Sequence, residues 1–166
     1  MNYIFSAIFL YFFLGFLLYI FQRRIVFNKS GHPGAPKDYN LDNTEEVYIK
    51  TEDNLKLLSW YHKGNNALPL LVYFHGNSFH IGDRAYRIQR YIEKNWSVLL
   101  VSWRGFGGNE GNPTEKNLYK DAEAVLKWIK NNTEFKFKEL VIYGESLGSG
   151  AAAVSYTHLT LPTTQV

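Results

Sequence analysis

Ser146 is the residue whose surroundings most clearly prepare chemistry. It lies in Gly144-Glu145-Ser146-Leu147-Gly148, a G-x-S-x-G run that follows the apolar stretch Leu140 to Tyr143 and precedes Ser149, Gly150 and three alanines. A strand, a serine between glycines and small residues that open a helix form the pattern of a nucleophile elbow, a sharp turn that exposes the serine hydroxyl. Glycines flank the serine because backbone meets backbone there and side chains have no room. In such a turn Ser146 is the expected nucleophile, attacking a carbonyl carbon to give an acyl-enzyme. The backbone N–H of Leu147, at the start of the helix, is the expected oxyanion donor. His75-Gly76-Asn77, directly after the apolar run Leu70 to Phe74, supplies the second candidate. Gly76 lets the chain turn toward the serine, and the backbone N–H of Asn77 is expected to complete the oxyanion site. His75 is read as a structural histidine that pins this loop by hydrogen bonding, not as the catalytic base.

The elements needed to position these residues follow from periodicity. Glu46 to Lys50 and Leu55 to His62 alternate or run apolar around Thr51-Glu52-Asp53-Asn54, as a hairpin requires. Leu70 to Phe74, Val98 to Val101 and Leu140 to Tyr143 are short continuous apolar runs, the signature of strands buried on both faces. Arg84 to Lys94 predicts one helix. Thr114 begins another through Lys130, with Leu118, Ala122, Val125, Leu126 and Ile129 as its apolar stripe. A hairpin leading into alternating strands and helices predicts an α/β domain with a mostly parallel sheet.

The amino terminus has a different role. Tyr3 to Phe21 is uncharged and rich in Phe, Leu, Ile and Tyr. As a helix of about 19 residues it measures roughly 28 Å, close to the hydrocarbon thickness of a bilayer. It lacks the basic start, short core and small-residue cleavage site of a secretory signal, so an uncleaved single-pass anchor is expected. Arg23, Arg24 and Lys29 follow it, which puts the soluble part on the cytoplasmic side by the positive-inside rule. The expected organisation is an anchor over 1–22, a juxtamembrane linker over 23–45, a partial catalytic domain over 46–153 and an anomalous tail over 154–166.

Composition removes other chemistries. There are no cysteines, which excludes disulfides, thiolate catalysis and cysteine-ligated metals. A net charge of +3 without an Arg/Lys cluster gives no footprint for nucleic acid, and no cofactor or metal is implied. Arg104-Gly105-Phe106-Gly107-Gly108-Asn109-Glu110-Gly111 is rich in glycine but lacks the Lys-Ser/Thr of a phosphate cradle. Gly144-x-x-x-Gly148-x-Gly150 also resembles the glycine turn of nucleotide-binding short-chain dehydrogenases. That turn follows a first strand, whereas this one follows several, and His75-Gly76-Asn77 would be left unexplained.

Phe74-His75-Gly76-Asn77, then Trp103 to Gly111, Asp121-Ala122 and Gly144 to Gly148 occur in that order. Together they resemble the α/β-hydrolase superfamily, in particular its membrane-anchored α/β-hydrolase-domain and serine-aminopeptidase-like branch. The resemblance extends over residues 1–153 and includes the anchor, its Arg-containing exit and the Trp60-Tyr61 strand. It implies the N-terminal part of an α/β-hydrolase fold behind one transmembrane helix. It also implies a serine hydrolase acting on an acyl-bearing small molecule, lipid or peptide, through an ester, thioester or amide bond. Arg104 and Glu110 are then loop residues near the mouth of the site, and Asp121 is a structural group.

The chain departs from the superfamily order of nucleophile, acid and histidine. No Asp or Glu follows Glu145, and the only later histidine is His158. Residues 154–166, dense in threonine and broken by Pro162, make a poor continuation of the elbow helix. They resemble translated sequencing-adapter strings. A hydrolase truncated near Val154 and inactive in this form is therefore expected. A membrane-tethered, non-catalytic binding protein on the same scaffold is the alternative.

Overall fold

Strand alternation around a polar turn produces β1 (Thr44–Lys50) and β2 (Lys56–His62), antiparallel, with Thr44 opposite His62 and Lys50 opposite Lys56. Asn54 takes the left-handed conformation that the tight turn demands. These coordinates come from a computed structural model describing residues 2–27 and 31–160. Three further strands, β3 (Leu70–Phe74), β4 (Ser97–Val101) and β5 (Leu140–Gly144), complete a sheet of order β1-β2-β4-β3-β5. β3 runs parallel to both β4 and β5, while β2 meets β4 antiparallel.

The uniformly apolar β3 and β4 are buried along their whole length, as two covered faces require. β5 corrects the sequence-based expectation of a third such strand. It lies at the sheet edge among the described residues, and Val141 and Tyr143 alternate outward at 40% and 41% exposure.

Helices cover both faces. α1 spans Asn2–Val26, α2 Ala85–Ile92, α3 Glu115–Asn132 and α4 Leu147–Thr160. α2 is shorter than the predicted helix at both ends: Arg84 belongs to a preceding 3-10 segment, Ile81–Arg84, and Glu93 and Lys94 lie beyond Ile92. α3 starts where Thr114 Oγ1 accepts the Asn117 N–H at 3.2 Å, a side-chain cap. Leu118, Ala122, Val125 and Ile129 of its stripe are buried against Val72, Phe74, Leu99, Val101 and Trp103, and Leu126 is buried as well. On the other face Ile81, Ala85 and Ile88 pack on Leu58, Trp60, Tyr73 and Leu100. Each large aliphatic side chain buried this way contributes about 1.5–3 kcal/mol.

α4 continues through Thr160, past Ala153, beyond which the residue types predict a poor helix. Its polar residues are accommodated by bonding backward: Ser155 Oγ donates to Ala151 O at 2.8 Å and Thr157 Oγ1 to Val154 O at 2.7 Å. Residues 161–166, including Pro162, lie outside the described residues, as do Lys29 and the side chain of His158. α1 runs on through Arg23 and Arg24 to Val26, and its 24 residues from Tyr3 form a helix long and apolar enough to cross a membrane.

Candidate active site

β5 delivers the chain to the elbow. Gly144 closes the strand, Glu145 N–H donates to Phe74 O at 2.9 Å, and Ser146 adopts φ 48° before α4 begins at Leu147. A non-glycine residue in this left-handed region costs about 1–2 kcal/mol, which the surrounding packing must hold in place. The strain is fixed by close approach. A Cβ built on Gly148 would lie 2.1 Å from the Phe74 carbonyl oxygen, so α4 sits directly on the end of β3. Leu147 is the first residue of α4, and its N–H therefore has no acceptor within the helix.

His75-Gly76-Asn77 leaves the end of β3 beside this turn. A Cβ at Gly76 would stand 3.4 Å from Ser146 Cβ and 3.3 Å from Glu145 O. Ser146, Leu147 and the Gly76-Asn77 segment are thus brought together, although Gly76 and Ser146 are far apart in sequence. The Asn77 side chain points elsewhere. Its amide donates to the Val26 carbonyl at the end of α1, while its Oδ1 accepts the Ser78 hydroxyl at 2.9 Å.

His75 corrects a sequence-based expectation. It is fully buried, but among the described residues neither ring nitrogen reaches hydrogen-bonding geometry with a partner. The ring packs edge-on against Phe106 and at a tilt to Trp103. The loop is pinned instead through its backbone, with Trp103 Nε1 donating to His75 O at 2.9 Å. Burial, reinforced by the nearby Arg84 charge, lowers the His75 pKa to about 4. It is a neutral packing group.

Sequence reasoning missed the residue that joins the two loops. Arg84, 7% exposed, donates from Nη1 to Ser78 O at 2.8 Å, from Nη2 to Glu145 Oε1 at 3.0 Å and from Nε to Glu145 Oε2 at 3.3 Å. Tyr73 O–H adds a bond to Glu145 Oε2 at 2.7 Å. Burial acts to raise the Glu145 carboxyl, but hydrogen bonds from Arg84 and Tyr73 and the arginine charges outweigh it, leaving the pKa below its ordinary value. The signal available in the sequence was the charge of Glu145 itself. A carboxylate inside a tight elbow needs a cation and donors.

Arg104 and Asp121 are tied to each other. Arg104 Nη2 and Nε reach Asp121 Oδ1 at 2.6 and 2.8 Å, and Nη1 reaches Asp53 Oδ2 at 2.6 Å. With Arg104 2% exposed and Asp121 fully buried, this network braces the start of the glycine-rich loop. Among the described residues no group of His, Asp and Glu side chains is arranged to hold a metal.

The chain is similar to known proteins in sequence and in structure. No family model matches the chain. It is 29% identical over 147 residues to the α/β-hydrolase domain-containing protein WAV2 of Arabidopsis thaliana, covering 83% of this chain and 47% of that protein. It is 28% identical over 141 residues to the lysophosphatidylserine lipase ABHD12 of Danio rerio, covering 70% and 36%. The crystal structure of an α/β-hydrolase from Vibrio vulnificus superposes with a TM-score of 0.63 at 25% identity, over 72% of this chain and 42% of that one. The chain spans about half the length of the curated relatives it matches. Agreement in sequence and in overall superposition has one origin: the chain belongs to the α/β-hydrolase superfamily.

Proposed function

We propose that this chain carries the nucleophile and oxyanion elements of a membrane-anchored serine hydrolase that cleaves an ester, thioester or amide through an acyl-enzyme. Ser146 is the nucleophile, and the backbone N–H groups of Leu147 and Asn77 receive the oxyanion. The observation that carries this is the left-handed Ser146 at the head of α4, with Gly76 against its Cβ. A serine held so is exposed to a substrate carbonyl, and the N-terminus of a 14-residue helix favours negative charge beside it. In the reaction Oγ bonds to the carbonyl carbon while the carbonyl electrons move to the oxygen. Their return expels the leaving group, which takes up the proton that Oγ released. Donors already aimed at that oxygen contribute about 3–4 kcal/mol each to catalysis of this type.

The proton requires a base. Neither nearby candidate serves as that base, because His75 is buried with its pKa lowered and Glu145 is committed to Arg84 and Tyr73. α1 supports the anchoring, since its apolar surface is exposed along its length. Arg23 and Arg24 favour a cytoplasmic domain. Lipid and small acyl esters are the favoured substrates, a reading that the lipase relative supports.

Chemical rescue tests the assignment. Membranes holding the chain are treated with a fluorophosphonate, with and without imidazole as external base, and the adduct is mapped. The expected outcome is phosphonylation at Ser146, faster with imidazole and absent in Ser146→Ala. An adduct that survives Ser146→Ala, or none even with imidazole, overturns it.

A further inference from the structure

We propose that the last turn of α1 and the first turns of α4 form a binding site for the fatty-acyl chain of a membrane lipid ester. The anchor is then one wall of the substrate site. The proposal rests on Ser146 being the nucleophile, and it adds where the acyl chain lies and how it arrives.

A cavity of about 420 Å³ lies between these elements. Val26 and Phe27 form the wall on the α1 side, Leu118 and Tyr119 of α3 form the floor, and Leu147 and Ala151 of α4 close the far side. Leu147 directly follows Ser146, so the cavity begins one peptide from the nucleophile. Its lining is apolar where it meets α4. Glycine and alanine there leave the space open, and a Cβ built on Gly150 meets nothing within 4 Å.

The position of α1 identifies the occupant. The apolar helix ends at Val26, and Gln22 and Arg23 stand at the cavity rim, where the uncharged run gives way to charge. With α1 in a bilayer, that rim lies at the membrane surface. Drawing an acyl chain out of lipid into water costs about 0.8 kcal/mol per CH₂. A chain that slides past Val26 and Phe27 exchanges lipid neighbours for apolar side chains and escapes that cost. A water-soluble acid or a peptide gains nothing from such an entrance.

The wall is also tied to the chemistry. Asn77, beside the oxyanion loop's Gly76, bonds through its side chain to the Val26 carbonyl. Phe27 N–H completes the helical bond to Arg23 O at 2.9 Å, and the Phe27 ring packs against the core. One side chain thus sets the end of the anchor relative to the loop that would receive the oxyanion.

Photocrosslinking tests this without requiring turnover. The full chain in phosphatidylcholine nanodiscs is exposed to a palmitic-acid analogue carrying a terminal diazirine, and separately to a hexanoic-acid analogue, and labelled peptides are mapped. The palmitic probe is expected to label the peptides of Leu118–Tyr119 and Leu147–Ala151, and the hexanoic probe to label them weakly. Gly150→Phe fills the cavity from α4 and Val26→Trp from α1, and each should cut that labelling about tenfold, the loss of one well-buried apolar contact. Labelling of the outward face of α1 serves as the internal reference. Equal labelling of α3 and α4 by both probes, or labelling unchanged in both variants, overturns the proposal. Ser146→Ala should label like the parent, so failure of the acyl site and failure of the nucleophile are read separately.

Discussion

Replacing Arg84 by methionine removes a side chain that bonds both the loop after β3, at Ser78, and the turn before α4, at Glu145. Two charge-assisted bonds to Glu145 and one to Ser78 O are lost. Leaving a buried acceptor unpaired costs about 1–3 kcal/mol, and stripping one partner from a buried pair costs about 3–5 kcal/mol. The second figure applies only in part, because the Glu145 side chain is 20% exposed and keeps its bond from Tyr73. Arg87, 3.6 Å away and 40% exposed, compensates little. The net expectation for Arg84→Met is a loss of about 2–3 kcal/mol. Glu145→Gln should cost about 1–2 kcal/mol, since the amide oxygen still accepts from Tyr73. In the double variant the neutral amide no longer needs a cation, so the losses should fall short of additive by about 1–2 kcal/mol. Urea unfolding followed by tryptophan fluorescence reads this, because Trp60, Trp96, Trp103 and Trp128 all lie in the folded domain. The sign with pH is fixed by the Glu145 pKa, which lies below 4.5 in the folded protein. The coupling is fully present above that ordinary value and disappears as pH falls through the lower, folded one. Additivity within about 0.5 kcal/mol at neutral pH refutes the clamp. The clamp also predicts that Arg84→Met slows imidazole-assisted phosphonylation of Ser146 by more than the fraction unfolded.

Two other perturbations probe the same region. Gly148→Ala places a Cβ 2.1 Å from Phe74 O and 2.9 Å from His75 O, both rigid backbone atoms. A loss of at least about 3 kcal/mol is expected in urea unfolding, the upper range for overpacking, and an unchanged midpoint would deny the close approach of α4 and β3. His75 concerns pH: its folded pKa of about 4 lies below the ordinary 6.5. The unfolded chain therefore binds the extra proton between those values. Stability is fully present above pH 6.5 and is lost as pH falls toward 4, by about 3 kcal/mol in all. Unfolding midpoints of the parent and His75→Asn across that range should diverge in slope; parallel curves would sink the idea.

What was legible in the chain was whatever a backbone turn forces on its own sequence. Gly148 and Gly76 are glycines because carbonyls and the elbow occupy the positions a side chain would take, and a turn of that kind leaves a readable spacing. β3 and β4 were legible because strands covered on both faces have no polar side to show. The failures share a different cause. Glu145 and Arg84 are 61 residues apart, and no local period links them. β5 is as uncharged and apolar through Tyr143 as β3, yet its single sheet neighbour among the described residues leaves Val141 and Tyr143 exposed, a fact of topology. His75 was expected to bond, as polar side chains in loops do, but Trp103 and Phe106 enclose its ring and its carbonyl takes over that role. The helix beyond Ala153 was misjudged by propensity, which backward hydroxyl bonds and tertiary packing override.

The bonds that hold Gly76 and Ser146 together explain why this strained turn persists. On the α3 side, Asp53 and Asp121 lock Arg104, whose neighbour Trp103 carries the indole that holds His75 O. On the α2 side, Arg84 grips Ser78 O and Glu145. The loop is therefore fixed on both flanks of Gly76, and the elbow is fixed at the residue before Ser146. A side chain in the left-handed region relaxes unless its neighbours prevent it, and here the restraint comes from opposite faces of one sheet. For Ser146 as the proposed nucleophile, such a frame has a catalytic consequence. Donors already in place need no reorganisation when negative charge develops on the carbonyl oxygen, which is the larger part of what an oxyanion site contributes. Loosening either flank should thus impair acylation at Ser146 before it unfolds the domain, and that ordering distinguishes a positioned active site from a merely stable turn.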